Sequence, residues 1–428
     1  MKPLPFPSAR RREAPEARSS RRPSRRVVAP PRFAHSIALC PAGIPVRPER
    51  PWLRAPWTAL LVLAAFMWPA ACACQRDTRE ESRPEEPRGD SSHPFTPCCR
   101  GDARPLPLAD PGLPADGPGP FLSLETERVF YDAERDRSIP AVLDVPSKDG
   151  VNPDDSQAPY PVVLVVHGFS GTKELMRGYG KRLASWGFIA VRPQLPYSGI
   201  LDILSQLEKF SHTESAKDLL FVLNSLCCES GQPGSALQGL VDKDRCAAAG
   251  HSMGGKLSVL ASLMDGGLRA VVGIDPVDGA GPQLPPPFDD LFKGPDFPDL
   301  APERLPHLLI PTLYLGGTQG KEKRLGQACA PEDQNYHEFW LASPAPSVEI
   351  TFLGADHTDF VEHSFLFDLL DPCNIGTADH NKVKALSFKY IVAFLNHRVR
   401  GWERFAEDYS GTGLDADRLS GDVVWEKK

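Results

Sequence analysis

Residues 245–255 read RCAAAGHSMGG, and the fold is decided there. Small apolar residues, Ala247 to Ala249, lead into Gly250-His251-Ser252-Met253-Gly254, and KLSVLASLMD (256–265) continues at helical spacing. A strand thus runs through a sharp turn into a helix. A serine in G-x-S-x-G at such a junction has a chemical use. The flanking glycines remove side chains that would clash in a strained turn, and the hydroxyl projects above the end of the sheet. The helix adds its N-terminal dipole. Ser252 is the candidate nucleophile.

On both sides of this stretch, strands alternate with helices. PVVLVVHGF (161–169), FIAVRPQL (188–195), LRAVVGIDP (268–276), IPTLYLGG (310–317) and VEITFLGAD (348–356) read as strands. The β-branched run at 161–169 is that of a strand buried on both faces. TKELMRGYGKRLASWG (172–187), SHTESAKDLLFVLNSLCCES (211–230) and HNKVKALSFKYIVAFLNHRV (380–399) read as helices, the second capped by Ser211 or Thr213. FLSLETERVFYD (121–132) and RSIPAVLDVP (137–146) form an antiparallel entry. The pattern predicts an α/β fold with a doubly wound, mostly parallel sheet. The prolines of 281–311 predict a long excursion that walls a substrate cleft.

A serine hydroxyl needs a base within reach, itself oriented by an acid. His357, at a strand end late in the chain, is the candidate base, and His363 is its rival six residues on. His251 lies inside the turn and reads as structural, as does His167 in its His-Gly loop. The strand ending at Gly316-Gly317 offers no carboxylate, whereas the preceding one ends Gly273-Ile274-Asp275-Pro276-Val277-Asp278. Asp275 is the candidate acid and Asp278 the alternate; Asp356 and Asp359 shape the His357 loop. Two backbone N–H donors for an oxyanion are expected from Met253, after the nucleophile, and from Phe169, after the first parallel strand.

The rest of the chain is built differently. Residues 1–120 carry 19 Lys and Arg against 12 Asp and Glu, while residues 121–428 carry 29 against 43. An acidic body argues against a nucleic-acid groove. Trp57–Ala71 (WTALLVLAAFMWPAA) is short for a membrane span and has the length of a signal-peptide core. Cys72-Ala73-Cys74 follows, similar to a lipoprotein cleavage site. Residues 1–74 are therefore expected to be a leader that exports the protein, secreted or held to a membrane through a lipidated Cys72. A plastid transit peptide in residues 1–56 is the alternative. Residues 75–120 read as a disordered Pro/Gly-rich tether, 121–402 as the catalytic body and 403–428 as a C-terminal tail. Cys246 is expected as a buried small hydrophobe, and Cys329 with Cys373 could pair after export. Gly168-Phe169-Ser170-Gly171 lacks the Lys and spacing of a phosphate loop, and no Cys pair has zinc spacing. No cofactor and no metal is expected.

Three segments carry a resemblance to a known family: GHSMGG at the turn, GIDPVDG (273–279) before a Pro-rich loop, and Cys329-Ala330-Pro331-Glu332 with Asn335, His337, Glu338 and Phe339. Residues 161–400 resemble the α/β-hydrolase superfamily, and within it the chlorophyllase family with its bacterial lipase and polyester-hydrolase (cutinase-like) relatives. The resemblance implies Ser252, Asp275 and His357 as a triad and an ester as substrate. Met253 stands where plant chlorophyllases usually carry Arg, as in the bacterial relatives. The expected function is a serine carboxylic ester hydrolase acting on a hydrophobic or bulky ester (chlorophyll's phytyl ester, a lipid or a polyester). Pro285, Pro286, Pro287, Phe288, Phe339 and Trp340 are expected at an apolar rim. A non-catalytic binding module, or a thioesterase or peptidase on the same triad, is the alternative.

Overall fold

Alternate residues of one strand, β3 (Tyr160–Val166), feed two different apolar cores. Val162, Leu164 and Val166 join one, and Val163 and Val165 join the other, so the run is buried on both faces as its β-branched sequence predicts. The computed structural model describes residues 109–428 apart from 200–201, 203–204, 265–266, 280–291, 325–326, 364–372 and 374–375. The leader 1–74 with Cys72, the tether as far as 108, and Pro285 to Phe288 lie outside the described residues.

Around β3 lies a nine-stranded sheet. Its strands are β1 (Leu122–Asp132), β2 (Arg137–Ser147), β3, β4 (Ile189–Pro193), β5 (Val241–His251), β6 (Leu268–Ile274), β7 (Thr312–Gly317), β8 (Ser347–Phe352) and β9 (Val423–Lys427). They stand in the order β1-β2-β4-β3-β5-β6-β7-β8-β9. From β4 to β8 every pairing is parallel; β1, β2 and β9 are antiparallel to their neighbours. Helices α1 (Arg177–Ser185) and α5 (His380–Arg400) cover one face through Leu183, Tyr390 and Phe394. Helices α2 (His212–Gly231) and α3 (Met253–Met264) cover the other through Leu219, Leu223, Leu257 and Leu260. The sheet is doubly wound, as the sequence predicts. Ser211 caps α2, its hydroxyl accepting the Glu214 N–H at 3.2 Å. Among the described residues no helix is long and apolar enough to cross a membrane.

Both ends of the folded body reach further than expected. At the N-terminal side, the Trp186 indole N–H donates to the Gly117 carbonyl at 3.1 Å, Ala115 is buried, and Arg404 pairs with Asp110 at 2.7 Å. Within the expected tether, Asp110, Ala115 and Gly117 therefore tie 109–120 to the folded body, although most of that segment is exposed. The expected C-terminal tail carries α6 (Ala406–Ser410), α7 (Thr412–Leu419) and β9, and it buries Phe405, Tyr409, Leu414 and Val423 in the second core. Helix α4 (Tyr336–Ala342) is a further element, capped by Asn335.

Candidate active site

The turn after β5 is held backbone to backbone. Ser252 has φ 55°, in the left-handed region, and its N–H donates to the Ile274 carbonyl at 3.0 Å. A Cβ on Gly254 would lie 2.4 Å from the Val166 carbonyl oxygen, and one on Gly250 would lie 2.2 Å from that of Gly254. The spacing G-x-S-x-G is thus required for α3 to press against the end of β3. Ser170, Tyr197, Ser252 and Asp275, which follow β3, β4, β5 and β6, all have positive φ. Asp136, in the β1–β2 turn, is the other non-glycine residue with positive φ among the described residues. Backbone strain therefore gathers at the C-terminal ends of the central strands.

Asp275 and His357 meet there. His357 Nδ1 lies 2.6 Å from Asp275 Oδ2, and the other carboxylate oxygen accepts the Gly317 N–H at 3.3 Å. Burial pushes the Asp275 carboxyl above its usual range, and the bond to His357 opposes that shift. A carboxylate on Nδ1 places the imidazole proton there and leaves Nε2 with its lone pair, the form a general base requires.

The alternates do other work. Asp278 pairs with the buried Lys256 at 3.2 Å and accepts the N–H groups of Leu300 and Ala301. It fastens the segment before β7 to α3. His363 Nε2 donates to the Thr358 carbonyl at 2.8 Å, and its ring lies 3.7 Å from that of His380. Asp356 accepts from the N–H groups of Thr358 and Asp359 and so shapes the His357 loop as expected.

His167 is structural: Nε2 accepts the Leu195 N–H at 3.2 Å, Nδ1 donates to the Gly168 carbonyl at 2.8 Å, and burial holds its pKa at about 4. Gly168 adjoins Ser252, since a Cβ on it would lie 3.0 Å from Ser252 Cβ. Among the described residues, the N–H groups of Phe169 and Met253 make no hydrogen bond to the protein backbone outside helices and strands. The Phe169 ring packs edge-on against Phe210 at 5.8 Å and Phe292 at 6.1 Å, and Phe297 closes the group. Phe339, expected at the rim, is instead buried in the first core, with Trp340 packed against it. The aromatic group joins residues 128 positions apart, so no local pattern announced it.

A disulfide between Cys329 and Cys373 ties the loop after β7 to the chain beyond His357. Cys227 and Cys246 are disulfide-bonded too, so Cys246 is buried as expected but is not a free thiol. Among the described residues no group of three or more His, Cys, Asp or Glu is placed to hold a metal ion.

A family model described as Chlorophyllase matches residues 140–408. The chain belongs to the chlorophyllase family. It is 28% identical over 214 residues to Chlorophyllase-2 of Arabidopsis thaliana, a match covering 47% of this chain and 61% of that one. It is 30% identical over 201 residues to Chlorophyllase-1, chloroplastic, of Citrus unshiu, covering 47% and 53%. With Chlorophyllase type 0 of Chenopodium album it shares 24% identity over 281 residues, covering 61% and 72%. This chain thus spans less than two thirds of the first two relatives. The matched region begins in β2 and holds the sheet from there to β8, together with Ser252, Asp275 and His357.

Proposed function

We propose that this chlorophyllase-family chain is a serine carboxylic ester hydrolase that works through an acyl-enzyme. Ser252 Oγ attacks the ester carbonyl while His357 Nε2 takes its proton, and Asp275 holds Nδ1–H and balances the imidazolium. The N–H groups of Phe169 and Met253 receive the oxyanion. The alcohol leaves with the proton from His357. Water then attacks the acyl-enzyme by the same route in reverse and releases the acid. The observation that carries this reading is the 2.6 Å contact of His357 with Asp275, made across 82 residues.

The relatives' names and the half-buried rings of Phe169 and Phe292 support a hydrophobic or bulky ester. Apolar pockets discriminate by only ~1–3 kcal/mol per methylene, so the preference should be graded. The test measures kcat/KM on p-nitrophenyl esters from acetate to palmitate, then on chlorophyll a and triglyceride. Activity on acetate alone refutes the substrate reading, and undiminished hydrolysis by Ser252→Ala refutes the catalytic one. The disulfides support an oxidising compartment reached by export. N-terminal sequencing and lipid analysis of the mature protein test export against plastid import, and test attachment at Cys72.

A further inference from the structure

His251 reaches both His357 and the Gly168 position without belonging to the triad proposed above. Its backbone is in register with Ile274 of β6, in the middle of the sheet. Its Nε2 lies 2.7 Å from the carbonyl oxygen of His357, and the two rings are 4.6 Å apart at 38°. A carbonyl only accepts, so Nε2 carries the proton and donates it. Nδ1 is then the unprotonated nitrogen, and it faces Gly168, on which a Cβ would lie 3.3 Å away. One side chain on a rigid strand thus meets the loop after β3, adjoins the nucleophile and grips the main chain of the base.

We propose that His251 is a positioning residue for His357. Asp275 fixes the His357 ring at one atom, Nδ1, about which the ring and its loop can still pivot. The bond from His251 fixes the backbone from which the ring hangs, and two fixed points leave Nε2 one position relative to Ser252. Burial also keeps His251 well below the usual histidine range. It therefore stays uncharged and adds no positive charge beside His357 at the moment the base takes its proton.

This inference rests on the Ser252, His357 and Asp275 reading, and its test separates the two. Glutamine carries an N–H donor at about the reach of Nε2, whereas asparagine stops one bond short. His251→Gln and His251→Asn are assayed with p-nitrophenyl butyrate, and their Tm is recorded, alongside wild type and Ser252→Ala. A displacement of about 1 Å costs on the order of 100-fold, so His251→Asn should lose about 10- to 100-fold in kcat, with KM changed less than about threefold. His251→Gln should recover to within about threefold of wild type. A wild-type kcat in the Asn variant, equal losses in both variants, or a loss carried by KM overturns the proposal. Should the Asn variant fail to fold, the Gln variant decides alone, and a tenfold loss there overturns it. Equal hydrolysis by wild type and Ser252→Ala sinks the functional reading instead.

Discussion

Replacing each aspartate of the Asp275–Asp278 pair with asparagine should separate chemistry from stability. In the folded protein Asp275 Oδ1 accepts the Gly317 N–H and Oδ2 accepts from His357 Nδ1. Asparagine has one oxygen, and the Gly317 N–H claims it. The amide NH2 then faces Nδ1, which becomes an acceptor, and the ring proton moves to Nε2, the atom that receives the Ser252 proton in the proposed mechanism. This is the wrong tautomer, and it costs about 10⁴ in kcat in comparable triads, or about 5 kcal/mol of barrier. Stability should change little, because burial already disfavours the ionised Asp275 carboxyl. Asp278→Asn should do the opposite. It removes the charge facing Lys256, which is 0% exposed, and a buried ion left without its partner costs about 3–5 kcal/mol. The kcat of the folded fraction should stay within about tenfold of wild type, since Asp278 lies outside the triad. The assays are p-nitrophenyl butyrate hydrolysis and urea unfolding. A folded Asp278→Asn that loses a thousandfold in kcat, beside a nearly active Asp275→Asn, would refute the reasoning.

Three further outcomes are expected. His167 is buried with its pKa at about 4 against an ordinary 6.5. The folded state therefore binds fewer protons than the unfolded state between these values. This contribution is complete above about pH 6.5 and lost as pH falls toward 4, worth about 3 kcal/mol, and a flat urea midpoint over that range would contradict it. A chain of residues 121–428 should have a lower Tm than one of residues 109–428, by the equivalent of about 1–3 kcal/mol, because the Trp186 indole N–H loses its acceptor. Equal Tm values would show that 109–120 contribute nothing. Replacing Cys329 and Cys373 with serine opens a closure across 44 residues, and loop entropy puts the loss near ~4 kcal/mol in urea unfolding, with no loss counting against that model.

What the sequence made legible was local. The β-branched run of β3, the Ser211 cap and the glycines around Ser252 each carry their meaning within a few residues, and the structure places them as read. Asp275 was singled out because the end of β7 itself, Leu315 to Gly320, offers no carboxylate, and the structure sets it 2.6 Å from His357 Nδ1. The missed features are long-range. Strand β9 exposes four of its five residues at least in part, with Val423 alone buried, so its composition resembles a tail until β8 pairs with it. Residues 109–120 lack a periodic pattern because they are held by backbone acceptors and an ion pair rather than by an apolar stripe. The partner of His251, a carbonyl 106 residues away, is likewise not announced by anything in its neighbours.

The same long range divides the molecule along its sequence. Ser252 and Asp275 come before the exposed residues Lys293 to Pro295, and His357 comes after them. A peptide bond opened there leaves one fragment with the proposed nucleophile and acid, and another with the proposed base alone. Their rejoining runs through the parallel register of β6 with β7, from Val271 opposite Thr312 to Ile274 opposite Leu315. Neither fragment carries a complete proton relay, so ester cleavage would begin only when the two are brought together. Fused to two other proteins, the halves would form a split reporter whose coloured product counts encounters between its passengers.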